Sequence, residues 1–133
     1  MADRLQDAVA LLTGAGGGIG TARTDGLVAA GVAEVISAGR DHPPERERVT
    51  RETVDVTDAP SLRELAGRCA ARVDIVIACA GVNANQRLFT PGFDAAARRE
   101  MEVNYFGLLN LAAAFAPAMQ ARGRGTFVHL LSL

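Results

Sequence analysis

Residues 13–20, TGAGGGIG, have the composition and spacing to bind a phosphate group. Glycine permits positive backbone φ angles and a close approach of the main chain to a ligand. A helix that begins in such a run adds free N–H groups and the positive end of its dipole. Residues 8–13 form a short apolar segment typical of a buried strand, and residues 21–31 have helical spacing. The sequence therefore predicts a strand, a pyrophosphate-binding turn and a helix, the alternative being a turn that only links the two elements.

The rest of the chain continues this alternation of elements. Four more apolar runs have strand character, at residues 33–40, 53–58, 73–81 and 126–131. Helices are predicted over 59–72 and 93–121, and Pro117 is expected to kink the second helix or end it early. Residues 41–52 are charged and contain two adjacent prolines, which predicts a loop. The pattern indicates an α/β fold, a Rossmann-type doubly wound parallel sheet in three layers with five strands, forming a single domain over 1–133.

Composition excludes several classes of partner. Fourteen basic and fifteen acidic side chains give a formal net charge of −1, which argues against nucleic acid or an anionic membrane as partner. No apolar stretch approaches the length of a membrane span, and the N-terminus shows no signal pattern. Cys69 and Cys79 are interpreted as reduced thiols of a cytoplasmic protein. The cysteines and histidines show no metal-ligand spacing, so no metal site is predicted.

The end of the second predicted strand bears on the choice of nucleotide. In folds of this type an acidic residue there binds the ribose 2′-hydroxyl, whereas a nearby arginine accommodates a 2′-phosphate. Here Gly39 stands near the acidic position and Arg40 follows it. A guanidinium pairs with phosphate through forked hydrogen bonds, which favours NADP(H). NAD(H) stays open, because the adjacent Asp41 offers a ribose ligand if the register shifts by a residue or two.

Five stretches occur in the order of the landmarks of a known family. They are TGAGGGIG at 13–20, DVTD at 55–58, ACAG at 78–81, EVNYFG at 102–107 and VHLLS at 128–132. Together they resemble the short-chain dehydrogenase/reductase family over essentially the whole chain. The resemblance implies a pyrophosphate turn, an adenine contact, a nicotinamide ribose contact and two catalytic residues. The pyrophosphate turn would comprise Gly14, Gly18, Ile19 and Gly20, and Asp55 with Val56 would contact the adenine. Ala80 and Gly81 would approach the nicotinamide ribose, and Asn104 and Ser132 would be the catalytic residues.

The same resemblance implies a reaction and a homo-oligomer. The reaction would be reversible hydride transfer between NADP(H) and a small carbonyl compound or secondary alcohol. The family's Tyr-x-x-x-Lys pair lies beyond its serine, but here only Leu133 follows Ser132 and the sequence contains no lysine. The single tyrosine, Tyr105, is interpreted as a packing residue. We therefore expect the N-terminal, cofactor-binding part of a longer enzyme, inactive alone; the alternatives are a noncatalytic nucleotide-binding or interaction module, and half of a protein completed by another chain.

Three departures from the family's pattern matter for the site. Cys79 stands where the family has asparagine, so a hydrogen bond between neighbouring strands is expected to be lost. His129 lies three residues before Ser132, which places the two side chains on opposite faces of a strand and argues against a Ser-His dyad. The segment between Arg40 and Asp55 is short, so the helix expected there should be absent or reduced to a turn.

Overall fold

The computed structural model describes residues 5–131 and confirms the predicted fold class. Five parallel strands form one sheet in the order β3-β2-β1-β4-β5. The strands are β1 Val9–Thr13, β2 Glu34–Gly39, β3 Val49–Thr53, β4 Ile75–Ala78 and β5 Thr126–His129. The helices are α1 Gly18–Ala29, α2 Ala59–Cys69, α3 Phe93–Glu100 and α4 Gly107–Arg122. Ser132, one of the two predicted catalytic residues, lies outside the described residues.

The sheet is apolar because its central strands are covered on both faces. Along β1, Leu11 belongs to a cluster packed against α2 and α4, and the next residue, Leu12, belongs to a cluster on the α1 side. Both leucines are completely buried. This alternation gives three layers, with helices on either side of the sheet. The chain runs outward from β1 in both directions, so a crevice opens at the carboxyl ends of β1 and β4, where ligands bind in sheets of this topology.

The third strand differs from its predicted position. It spans Val49–Thr53, so its first four residues fall in the segment predicted as a loop, whereas residues 54–58 follow it as loop and turn. The strand lies at the edge of the sheet and pairs only with β2, so Arg51 and Glu52 can face water. These charged residues favoured the prediction of a loop, although an edge strand need not be apolar.

The connection between β2 and β3 contains no helix, as the short segment predicted. Residues 40–48 are all described and run from one strand to the next without a helical turn. Two contacts hold this connection to the sheet. The His42 Nδ1 atom lies 2.8 Å from the hydroxyl oxygen of Ser37, and Arg51 Nη2 donates to the Pro43 carbonyl oxygen at 2.7 Å.

The long predicted helix is present but not uniform. A π-helical turn, Met101–Phe106, joins α3 to α4. Of the two alternatives predicted for Pro117, an early end of the helix does not occur: α4 continues past Pro117 to Arg122 and stops at Gly123, whose φ is 67°. Phe115 and Met119 are buried on either side of the proline, and this packing offsets the hydrogen bond that proline cannot make. None of the helices within residues 5–131 is long and apolar enough to cross a membrane.

Candidate functional site

A cavity of about 350 Å³ occupies the crevice at the carboxyl ends of β1, β2 and β4. Its wall combines the turn after β1, the residues that follow β2, β3 and β4, and one face of the helix that begins with α3. The structure brings together there all the residues predicted to bind a cofactor, which are Gly14, Gly18, Ile19, Gly20, Arg40, Asp55, Val56, Ala80 and Gly81. Residues from five separate stretches of sequence therefore meet in one place.

The glycine-rich turn is held by close contacts of its own backbone. Gly14 has φ 67°, and a Cβ there would lie 2.8 Å from the Ala80 nitrogen, closer than real Cβ atoms approach. A Cβ at Gly20 would overlap the Gly14 carbonyl oxygen and lie 2.7 Å from Cα of Ala15. Only glycine fits at these two positions, because the turn packs against both the end of β4 and the start of α1.

The start of α1 opens onto the cavity. Gly17 precedes the helix and no side chain caps it. The first N–H groups of a helix have no partner within the helix, so here they are available to an anionic ligand. A Cβ at Gly18 would meet nothing within 4 Å, and Ile19 is 63% exposed. The space beside these two residues is where a pyrophosphate group would reach the helix.

Thr13 ties the turn to the end of β4, a role that we did not predict from the sequence. Its side chain is 1% exposed, and its Oγ1 accepts hydrogen bonds from the backbone N–H groups of Cys79 and Ala80, both at 3.2 Å. Because the tie uses the backbone groups that follow β4, it does not need an asparagine at position 79. The signal in the sequence was a single polar residue at the end of an apolar strand, directly before the glycines.

Cys79 packs as a small, partly buried apolar residue. The residue is half-buried, lines the cavity and packs against the hydrophobic cluster on the α1 side of the sheet. Burial raises the pKa of the Cys79 thiol, so the thiol stays neutral near pH 7. A neutral thiol is a weak nucleophile, and it leaves the charge balance of the cavity unchanged.

The cavity wall also carries charged side chains. Arg40 and Asp41 follow β2, Asp55 follows β3, and Arg99 reaches the cavity from α3. Asp55 Oδ1 accepts hydrogen bonds from the backbone N–H of Thr57 at 2.9 Å and from its hydroxyl at 2.7 Å. These two bonds lower the pKa of Asp55, and the nearby positive charges of Arg40 and Arg99 lower it further. The carboxylate is therefore ionised near neutral pH and can accept a hydrogen bond from a ligand.

Asn104 lies in the π-helical turn, and both polar atoms of its side-chain amide make hydrogen bonds to the backbone after β4. Its Oδ1 accepts from the Val82 N–H at 2.8 Å, and its Nδ2 donates to the Val82 carbonyl oxygen at 2.8 Å. One turn earlier, Glu100 Oε1 accepts from the Ala84 N–H at 2.6 Å. The two side chains fix the path of residues 82–84 along the cavity. Asn104 itself is not among the described residues that line the cavity.

Two other predictions concern aromatic and histidine side chains. Tyr105 packs edge-on against Phe106, with ring centroids 5.2 Å apart, and about half of its surface is exposed. His129 ends β5, is partly buried and pairs in register with Ala78 of β4. Its relation to Ser132 falls outside the described residues.

Arg99 is a charged residue of the cavity that sequence reasoning missed. It belongs to the helix predicted over 93–121, and its charge carried no distinctive motif. Val103, four residues later, is buried and also lines the cavity. The place of Val103 in the cavity is known only from the structure, so no signal in the sequence pointed to Arg99.

Comparison with known proteins gives a consistent set of similarities. A family model described as short chain dehydrogenase matches residues 8–133. The galactitol 2-dehydrogenase (L-tagatose-forming) of Cereibacter sphaeroides is 34% identical over 140 residues, covering 98% of this chain and 54% of that protein. The short-chain reductase protein NovJ of Streptomyces niveus is 28% identical over 146 residues, covering 96% of this chain and 53% of that protein. The chain thus spans about half the length of these curated relatives.

Solved structures agree in fold. A short chain dehydrogenase from Burkholderia cenocepacia J2315, solved in complex with NADP, superposes with a TM-score of 0.87 at 33% identity, covering 96% of this chain and 54% of that one. A short chain dehydrogenase from Leptospira borgpetersenii with bound NAD+ superposes with a TM-score of 0.86 at 22% identity, covering 96% and 52%. The second likeness concerns the fold alone.

Proposed function

Because this chain belongs to the short-chain dehydrogenase family, we propose that its cavity binds a nicotinamide adenine dinucleotide for hydride transfer. In the complete protein the transfer would run reversibly between NADP(H) and a small carbonyl compound or secondary alcohol. The observation that carries the proposal is the meeting of the glycine turn, the uncapped start of α1 and Asp55 in one crevice. Residues 1–133 would form one dinucleotide-binding domain.

The pyrophosphate group would lie against the glycine turn. Gly14 and Gly20 keep the turn tight, and the open space at Gly18 leaves room for phosphate oxygens next to the helix N–H groups. Asp55 and Val56 would flank the adenine ring, with the ionised Asp55 accepting from its amino group. At the other end, Ala80 and Gly81 would approach the nicotinamide ribose, because both residues follow β4 and line the cavity.

The nucleotide we favour is NADP(H). Arg40 lines the cavity directly after β2, where a guanidinium can pair with a 2′-phosphate through two hydrogen bonds. The Burkholderia cenocepacia structure that contains NADP is 33% identical to this chain, which supports the same choice. NAD(H) remains the alternative, since Asp41 also lines the cavity and its carboxylate can accept from a ribose hydroxyl.

Hydride transfer is the chemistry that the bound cofactor supplies, so the protein must orient a substrate and handle one proton. Ser132 would hydrogen-bond the substrate oxygen. Asn104 would act as a positioning residue, because its amide holds Val82 beside the cavity. The general acid/base pair that the family resemblance implies has no counterpart here, since the sequence contains no lysine and its only tyrosine is Tyr105. We therefore expect the 133 residues to bind cofactor without turning over substrate.

A homo-oligomer and a cytoplasmic location complete the proposed function. Met101, Tyr105 and Leu109 recur four residues apart on the π-helical turn and α4, and each is about half exposed. An exposed apolar stripe of this kind favours contact with another protein surface, and we assign it to a second copy of the chain.

The unpaired thiols of Cys69 and Cys79, both within the described residues, favour a reducing compartment.

A titration of the 133-residue chain tests this function directly. NADPH and NADH would each be added to the protein, and binding followed by calorimetry and by the fluorescence of the reduced nicotinamide. Saturable binding of both, tighter for NADPH, is expected, with no consumption of NADPH when simple ketones are added. Absence of binding at millimolar nucleotide would contradict the proposal, and tighter binding of NADH would contradict the choice of NADP(H).

A further inference from the structure

Two arginines from distant parts of the chain line the cavity near Asp55, and the charge of each acts on that carboxylate. Arg40 follows β2, and Arg99 lies near the end of α3, fifty-nine residues later in the sequence. Both line the same cavity as Asp55. We propose that Arg99 is a second cation for the 2′-phosphate of NADP(H), so that the selectivity for this cofactor depends on the Arg40–Arg99 pair. This inference rests on the proposed function and adds a residue to it.

The charges of the side chains in this part of the cavity favour a second arginine, beside Arg40, for binding a 2′-phosphate. Asp41 and Asp55 line the cavity beside Arg40. A phosphate monoester carries between about one and a half and two negative charges near neutral pH. With Arg40 alone, the phosphate would enter a region where the side chains already sum to one negative charge. Arg99 cancels that charge, which removes the repulsion that a dianionic group would otherwise meet.

The two guanidiniums act on the same small region. The positive charges of Arg40 and Arg99 both contribute to the lowered pKa of Asp55, after the larger effect of the two hydrogen bonds from Thr57. Thr57 fixes the carboxylate from the loop side, at 2.9 and 2.7 Å. Asp55 therefore does not depend on either arginine to stay ionised.

Both arginines are also uncommitted to other partners. Within residues 5–131, the ion pairs are those of Arg46, Arg68, Arg72 and Arg124, each with an aspartate or glutamate, and none involves Arg40 or Arg99. Both side chains belong to exposed residues at the cavity rim. A guanidinium without a competing carboxylate can turn towards an incoming phosphate and donate two parallel hydrogen bonds.

The chain provides a matched control in Arg98. It is the neighbouring residue of the same helix, it is exposed and it carries the same charge, but it does not line the cavity. A general effect of net charge on nucleotide binding would appear equally in Arg98→Ala and Arg99→Ala. An effect on the 2′-phosphate would appear only in Arg99→Ala.

The test compares two probes that differ by one phosphate, adenosine 2′,5′-bisphosphate and adenosine 5′-monophosphate. Dissociation constants would be measured by calorimetry for the full 133-residue chain and its variants at low and at moderate salt. We expect Arg99→Ala to weaken binding of the bisphosphate by about tenfold and of the monophosphate by less than about twofold. Arg98→Ala should leave both constants unchanged, and Arg99→Lys should keep part of the preference because it keeps the charge.

Other outcomes would separate this inference from the function on which it rests. An equal loss for both probes in Arg99→Ala would mean that Arg99 contacts the adenosine itself, and no loss would mean that it is a solvated charge. Either result overturns the inference while the binding of dinucleotide stands. If the unsubstituted chain bound neither probe nor NADPH, the proposed function would fall and the inference with it. Circular dichroism would confirm that each variant is folded.

Discussion

The two ends of the cavity are built in different ways. At the turn end, Gly14 and Gly20 pack so closely against neighbouring backbone that an added methyl group has no room. At the adenosine end, Arg40, Asp55 and Arg99 come from separate loops and a helix, and they meet as partly or fully exposed side chains. The residues of the turn end therefore help to hold the folded backbone together, whereas the side chains of the adenosine end are positioned by the fold and contribute little to its stability. Substitutions should affect stability at the first and ligand preference at the second.

Gly20→Ala should cause the largest loss of stability. The new Cβ would overlap the Gly14 carbonyl oxygen and crowd Cα of Ala15, and these backbone atoms cannot move without opening the turn. We expect a loss of more than about 3 kcal/mol in the free energy of unfolding, measured by urea titration with circular dichroism.

Gly26→Ala is the matched control for that substitution. Gly26 lies in the same helix, and a Cβ there would meet nothing within 4 Å. Alanine should stabilise the helix by up to about 1 kcal/mol. If Gly20→Ala were as stable as Gly26→Ala, the turn would be looser than the structure shows and the contrast between the two ends would fail.

Thr13→Val should have the next largest effect. Valine keeps the shape of the side chain but removes the acceptor of the Cys79 and Ala80 N–H groups. Leaving these donors unsatisfied at a mostly buried position should cost about 2 kcal/mol. Faster amide hydrogen exchange at Cys79 and Ala80 should accompany the loss. Thr13→Ser retains a hydroxyl and should keep both amides protected, so rapid exchange in the serine variant would argue against this tie.

Gly18→Ala should separate binding from folding within the turn itself. A Cβ at Gly18 meets only open space in the protein, so the free energy of unfolding should stay within about 0.5 kcal/mol of the original. The methyl group would occupy the space assigned to the pyrophosphate and weaken NADPH binding by about tenfold, equivalent to about 1.4 kcal/mol. Unchanged binding would show that the pyrophosphate does not lie at this glycine.

The same contrast explains what could be predicted from the sequence. The turn end is encoded locally: an apolar strand, a run of glycines and a helix follow one another, and each has a direct signature. The local pattern predicted the turn at residues 13–20, and the family resemblance implied Gly14, Gly18 and Gly20 within it; all three line the cavity. Asp55 also lines the cavity, although β3 ends at Thr53, five residues before the end predicted for the third strand.

The adenosine end and the edge of the sheet could not be predicted as fully. The third strand was predicted at 53–58 instead of Val49–Thr53 because an edge strand tolerates charged residues such as Arg51 and Glu52, which predict a loop when burial is unknown. Arg99 was missed because its role depends on a helix packing next to a loop from elsewhere in the chain. Side chains that meet only through tertiary structure leave no pattern along the sequence.

The smallest effect we predict is a pH dependence at Asp55. The hydrogen bonds from Thr57 and the nearby arginines lower the pKa of this carboxyl group in the folded protein, compared with about 3.9 in an unfolded chain. The ionised form is therefore favoured by folding. Its contribution to stability is fully present above the unfolded pKa and is lost as the pH falls through the folded pKa. Because Asp55 is partly exposed, the contribution should be small.

Comparing Asp55→Asn with the original chain isolates this contribution, since the asparagine variant cannot titrate at this position. We expect the difference in unfolding free energy between the two proteins to be constant from about pH 7 to pH 5 and to shrink below about pH 4. Thr57→Val should reduce the pH-dependent part, because it removes the hydroxyl donor at 2.7 Å, whereas Thr57→Ser should retain it. A difference that does not change with pH would mean that the charge of Asp55 does not stabilise the loop. The carboxylate would then be held at the cavity by the backbone of the loop after β3, and the adenosine end would resemble the turn end more than the structure indicates.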